Sequence, residues 1–251
     1  MTPTAEVFTV SIALVCAAAP SAHAQMTHRL KGSLRTEAGA PVVSATVRAK
    51  ALSGFRGEPF IGADELTVST DAKGDWNMLG IQAGVWLFST TAPDMLPAVL
   101  VIPVKMSQRQ QVSAVGNSLT WPLPLFAAPA ADHALLNVAA DLLSAGKKEE
   151  AAQALTVALG PDTPAATRVV AGEMALLAQQ ASLARTLFEM VVKADPKNGR
   201  AQTGLASAAL MIRDWEAAGK FLWIARDLAP KEQRPALAAA IGDLQQIARV
   251  Q

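Results

Sequence analysis

Residues 184–196, ARTLFEMVVKADP, and residues 218–230, AGKFLWIARDLAP, decide how the second half of this chain folds. Set one above the other they register at an interval of 34: Ala184 with Ala218, Phe188 with Leu222, Pro196 with Pro230 and, upstream, Gly172 with Ala206. Self-similarity at such a period marks stacked supersecondary units. Apolar residues at i, i+3, i+4 and i+7 from Asp132 to Val250 make those units pairs of amphipathic helices. Pro196 and Pro230 close their units, since proline stops a helix. A third unit, one residue shorter, is traced backward through Gly146-Lys147-Lys148-Glu149-Glu150-Ala151 and Ala158. The units are 132–164, 165–198 and 199–232, within a repeat domain of 132–234. A last helix within 235–251, with Leu237, Ile241, Leu244 and Ile247 on one face, is expected to cap the third unit.

Upstream the period changes to two. Leu30–Leu34, Val42–Val47, Leu66–Thr70, Val85–Thr91, Val99–Val104 and Ser118–Leu125 are β-type runs separated by turn residues. Glu37-Ala38-Gly39-Ala40-Pro41, Asp71-Ala72-Lys73-Gly74-Asp75 and Gln82-Ala83-Gly84 supply the turns. Six or seven strands so spaced predict an antiparallel sandwich over 25–120. The proline-rich segment 121–131 reads as an edge-type strand and a linker, since proline cannot donate to a central ladder.

Two resemblances follow from these residues. The series Gly32, Gly39, Pro41, Ala45, Val47, then Thr70-Asp71-Ala72-Lys73-Gly74-Asp75-Trp76, Leu79 and Gly84-Val85-Trp86 resembles the carboxypeptidase regulatory-like domain, a transthyretin-like sandwich. It departs at Ser44, where that family favours glycine, and in the longer loop Ser53–Asp64 with Phe55, Phe60 and Ile61. The helical units resemble the tetratricopeptide repeat, with a small residue at the eighth position, Gly at the fifteenth, Ala at the twentieth and twenty-seventh and Pro at the thirty-second. Gln179 departs at the fifteenth position, Val191 at the twenty-seventh and Thr163 at the thirty-second. The expected fold is therefore an all-β transthyretin-like sandwich followed by an all-α tetratricopeptide-type helical repeat array.

The chain has 251 residues, and its formal charge is +1. Residues 1–24 hold Glu6 and no Lys or Arg, so removing them leaves 22 basic against 20 acidic side chains, or +2. That balance gives no electrostatic reason to expect nucleic acid. Val7–Ala19 is apolar but shorter than the about 20 residues a membrane span requires. Pro20 and Ala22-His23-Ala24 follow it, so residues 1–24 read as a signal peptide cleaved before Gln25. The mature chain is then expected to be periplasmic, with no membrane span and no cysteine, because Cys16 is the single one. Val15 before Cys16 disfavours a lipoprotein anchor.

Little in the sequence suits catalysis. Only His28 and His133 remain after processing, and no Gly-x-Ser-x-Gly elbow, phosphate-binding Gly-Lys-Ser/Thr loop or dinucleotide Gly-x-Gly-x-x-Gly occurs. A non-enzymatic chain with no cofactor and no metal is expected. Asp71 and Asp75 read as hairpin residues, not as calcium ligands, since no third carboxylate stands near.

The tetratricopeptide resemblance implies a concave groove lined by the second, fifth, ninth, twelfth and thirteenth residues of each unit. These include His133, Leu136, Ala140 and Leu143 in the first unit; Val169, Glu173, Leu176 and Leu177 in the second; and Arg200, Thr203, Ser207, Leu210 and Met211 in the third. The lining is mostly apolar and lacks the Lys and Asn set that clamps a terminal carboxylate. An apolar segment of a protein partner in the cell envelope is the expected guest, which makes the chain an exported interaction scaffold or adaptor. The same positions also suit packing against neighbouring helices or against the sandwich, which leaves no free groove. The alternative function is carbohydrate or cell-wall binding by the sandwich, with Trp76 and Trp86 as a stacking platform. Both tryptophans nevertheless read first as core residues, as do Trp215 and Trp223.

Overall fold

The computed structural model describes residues 28–54, 60, 63–104 and 118–250. The expected signal peptide with Cys16, the cleavage before Gln25, and Phe55 and Ile61 lie outside the described residues.

The strands are β1 (His28–Thr36), β2 (Thr46–Ser53), β3 (Glu65–Ser69), β4 (Asp75–Ile81), β5 (Gly84–Thr91), β6 (Met95–Leu96), β7 (Val99–Val104), β8 (Ser118–Thr120) and β9 (Leu125–Pro129). They form two sheets. One has the order β4-β1-β9-β6, with β8 also on β1; the other is β3-β2-β5-β7. Every pairing in the second sheet is antiparallel, whereas β1 runs parallel to both β8 and β9.

Alternation along the strands closes the two sheets on one core. Leu30 and Leu34 of β1, Val47 and Ala49 of β2, Trp76 and Met78 of β4, Trp86 and Phe88 of β5, and Leu100 and Ile102 of β7 all enter it. Trp76 stacks on Phe88 with ring centroids 5.2 Å apart. It also lies across its strand partner Gly32, where an added Cβ would stand 2.2 Å from the indole ring. The first strand therefore requires glycine at that place. Phe60 docks edge-on against Trp86 at 5.0 Å, tying part of the long loop to the core.

Two expectations are corrected in this half. The run Val42–Val47 begins as a turn, and β2 starts only at Thr46. Ser44 has φ +56°, the left-handed conformation that explains a preference for glycine there. Thr70 holds the turn by accepting from the Ala45 N–H at 2.9 Å and donating to the Val42 carbonyl at 2.7 Å. The strand expected within 121–131 is present as β9, Leu125–Pro129, but it is no edge, since it pairs with β1 through Leu34–Leu125, Arg35–Phe126 and Thr36–Ala127 and with β6 through Met95–Pro129 and Leu96–Ala128. Pro122 and Pro124 precede the strand and Pro129 ends it, so the prolines stay out of its interior, while Leu125 and Ala127 alternate into the core.

Downstream of the short 3-10 segment Ala130–Leu136 come α1 (Asn137–Ser144), α2 (Lys148–Ala158), α3 (Ala165–Leu177), α4 (Ala181–Ala194), α5 (Gly199–Met211), α6 (Trp215–Leu228) and α7 (Arg234–Val250). Consecutive helices pack pairwise within the three sequence units. The turn inside each pair has a left-handed residue at the fifteenth position: Gly146 at φ +76°, Gln179 at +61° and Arg213 at +60°. Gln179 thus adopts the conformation for which the repeat prefers glycine. Phe188 of α4 explains the small residues. An added Cβ would stand 2.6 Å from its ring at Gly172 in α3 and 2.4 Å at Gly204 in α5. The ring wedges three helices together, burial worth about 2–3 kcal/mol. Asn198 and Asp214 cap α5 and α6 by accepting N–H bonds from Ala201 and Ala217, each at 3.0 Å. Helix α7 covers the third unit with Leu237, Ile241, Leu244 and Ile247, all buried.

Candidate functional site

The groove already holds a guest, and the guest is the chain's own sheet. Strand β7 is an edge strand of the second sheet and lies against α3 and α5, the first helices of units two and three. Its residues divide by face: Leu100, Ile102 and Val104 enter the sandwich core, while Val99 and Val101 join the helices. Strand β5 divides likewise, with Val85 and Leu87 toward the helices. Leu136, Val169, Leu176 and Leu210 belong to that same apolar cluster, and Met211 packs at its margin. A free groove over these residues is therefore corrected: burying the outer face of β5 and β7 removes apolar surface that water would otherwise meet.

The contact is also polar and directional. An edge strand leaves outward N–H groups unpaired. Here the Val101 N–H donates to Ser207 Oγ at 3.2 Å, and the Glu173 carboxylate lies beside the Val99 backbone. Ser207 and Glu173 occupy the ninth position of their units, so in units two and three this position faces the backbone of the strand. The first unit has Ala140 there, with no acceptor to offer.

Glu173 is at the centre of a charged network. Arg200 grips it with two bonds, Nε to Oε1 at 2.6 Å and Nη2 to Oε2 at 2.9 Å. The guanidinium also donates to Glu37 Oε1 at 2.5 Å and to the Phe126 carbonyl at 2.9 Å, and lies 5.6 Å from the Phe126 ring centre. Burial pushes the Glu173 carboxyl above its ordinary range, against the pull of Arg200. For Arg200, burial acts downward, but Glu173 and Glu37 outweigh it and hold the guanidinium charged. His133 Nδ1 lies 3.0 Å from Thr167 Oγ1, and its Nε2 is 3.6 Å from Glu37 Oε2 without a hydrogen bond. Glu37 reaches this network from the turn after β1, across 163 residues.

The ends of the groove stay open. Beside unit one, α1 and the end of α3 face β2, β3 and β5 across a cleft of about 810 Å³. Leu143 and Leu177, both half-buried, form its helical wall, and Arg48, Lys50 and Glu65 form the strand wall. Beside unit three, a second cavity of about 390 Å³ lies between α5, the end of α6, β7 and residues 123–126. Arg200, Glu173 and Thr203 line it; Thr203 Oγ1 donates to its own helix at the Gly199 carbonyl, 2.9 Å away.

Trp76 and Trp86, offered as a sugar platform, are 3% and 0% exposed and have no free face to stack a ligand on. Trp223 departs from expectation in the opposite sense. It is 40% exposed, with Arg226 over its ring at 3.6 Å. Asp71 Oδ1 accepts the N–H groups of Asp75 at 2.9 Å and Lys73 at 2.8 Å, which fixes the hairpin and lowers the Asp71 carboxyl below its usual range. Among the described residues, no helix is long and apolar enough to cross a membrane.

No family model matches the chain, and no curated protein matches it. Among solved structures it is similar to the first tetratricopeptide domain of Spaghetti (RPAP3) bound to an HSP90 peptide: 16% identity, TM-score 0.37, 47% of this chain and 90% of that one. The Sgt2 tetratricopeptide domain from Aspergillus fumigatus matches at 15% identity and TM-score 0.38, over 46% of this chain and 80% of that one. A third similarity is to 3-chlorocatechol 1,2-dioxygenase from Rhodococcus opacus, at 10% identity and TM-score 0.32, over 44% of this chain and 62% of the enzyme. The repeat assignment rests on the chain's own geometry, above all the left-handed fifteenth positions and the Phe188 wedge.

Proposed function

We propose that this chain is a non-enzymatic interaction scaffold of the cell envelope, exported by its amino-terminal segment, whose protein partner docks in the cleft beside unit one. One observation carries the reading: the strands fill the groove over units two and three, while Leu143 and Leu177 still face a cleft of about 810 Å³. The cleft sets half-buried leucines opposite Arg48, Lys50 and Glu65, which suits a polypeptide segment with alternating apolar and polar side chains. The strand half is read as a carboxypeptidase regulatory-like domain acting as an internal brace for the array. The left-handed residues Ser44 and Gly74 in its turns support that reading.

The test is a double substitution, Leu143→Glu with Leu177→Glu, in the protein from Gln25 onward. Immobilised wild type is expected to retain a partner from envelope extract, and the double variant to lose it at unchanged helical circular dichroism. Equal retention by both proteins discards the cleft as the docking site.

A further inference from the structure

The cavity beside unit three differs from the docking cleft in kind. Its walls are mostly apolar, from Val99 of β7, Leu123 and Pro124 ahead of β9, and Ala225 and Leu228 of α6, with Ser207 and Gln233 also on the lining. Its polar end is the network of Glu37, Glu173 and Arg200. Two carboxylates share one guanidinium, so with all three ionised the end carries a net charge of −1. Glu173 is fully engaged, since both its oxygens bond Arg200. Glu37 is not: Oε1 accepts from Arg200, but Oε2 has only the His133 Nε2 at 3.6 Å, beyond hydrogen-bond reach, and the side chain is 32% exposed. An apolar chamber of about 390 Å³ with one under-compensated carboxylate at its end has the size and polarity of a small-ligand site.

We propose that this cavity binds an apolar group ending in an ammonium, with Glu37 as its counter-charge and the apolar body held between Val99, Leu123 and Leu228. An anionic head would meet two carboxylates around an arginine whose charge they already claim. A neutral head would leave Glu37 Oε2 without a cation. An ammonium supplies both the missing charge and the hydrogen-bond donors. The same chemistry is presented by a free alkylamine and by the lysine side chain of a docked polypeptide.

Isothermal titration of the purified protein with n-octylammonium, 1-octanol and octanoate tests the head-group rule. Octylammonium is expected to bind at least about tenfold more tightly than octanoate, with octanol between them. Glu37→Gln, on an exposed turn, should cancel most of that preference, and Thr203→Leu, which fills the chamber, should weaken all three ligands. Circular dichroism checks that both variants are folded. A capped Leu-Leu-Lys peptide separates the two sources. Binding of the free amine alone assigns a small-molecule site, whereas tighter binding of the peptide assigns a partner's lysine. Octanoate equal to octylammonium, no binding of either, or a preference untouched by Glu37→Gln overturns the proposal, and none of these results bears on the cleft at Leu143 and Leu177.

Discussion

Strands β5 and β7 are apolar on both faces, whereas β2 and β3, in the same sheet, alternate. Val85-Trp86-Leu87-Phe88 and Val99-Leu100-Val101-Ile102 are buried without interruption; Val47 and Ala49 of β2 are buried, but Arg48 between them is exposed. The difference follows the helices. Where units two and three cover the sheet, both faces of a strand must be apolar; where unit one leaves a cleft, the outer face stays polar. The ninth repeat position agrees, with Ser207 accepting the Val101 amide and Glu173 lying beside Val99, while Ala140 has no acceptor to offer. One sheet edge thus occupies the helical face of units two and three.

That contrast can be broken most severely at Val101. Val101→Glu puts an unpaired charge between α5 and the sheet and is expected to cost about 4 kcal/mol or more. Thr67→Glu on exposed β3 should stay within about 0.5 kcal/mol by the same denaturant titration. Next in size is Arg200→Met, which strands Glu173 among apolar groups and should cost about 3 kcal/mol. The double variant Arg200→Met, Glu173→Leu should recover much of that loss, which a thermal unfolding series would reveal. Ser207→Ala leaves the Val101 N–H without an acceptor and should cost about 1–2 kcal/mol, measurable also as faster amide exchange at Val101.

The smallest effect is a slope with pH. Because burial raises the folded-state value of Glu173, the unfolded chain releases that proton first. Its contribution is complete below the ordinary carboxylate value of about 4.3 and declines as pH rises through the raised one. Glu173→Gln should lack this decline when melting temperatures are compared from about pH 4 to 8.

Much of the architecture was legible because it rests on spacing. The interval from Ala184 to Ala218 and from Pro196 to Pro230 locates helix pairs whatever their neighbours. The hairpin at Asp71 was legible because its side chain bonds locally. The filling of the groove was written in the unbroken apolar runs of β5 and β7, which an open sandwich face does not need; reading them only as strands missed their second covered face. A strand within 121–131 was legible, but its prolines pointed to an edge, whereas Leu125–Pro129 lies between β1 and β6. Gln179 and Arg213 concealed their left-handed turns because nothing but position distinguishes them. Glu37 gave no signal, since its role depends on a fold that brings it to Arg200 across most of the chain.

Sheltering β7 between helices sets an order of events during synthesis. The ribosome releases Val99–Val104 roughly a hundred residues before the Ser207 that covers its rim. Through that interval the nascent chain presents a bare, apolar ribbon able to pair with any similar strand nearby. Truncation ahead of α5 should therefore leave the outer face of β7 bare and yield an aggregating fragment.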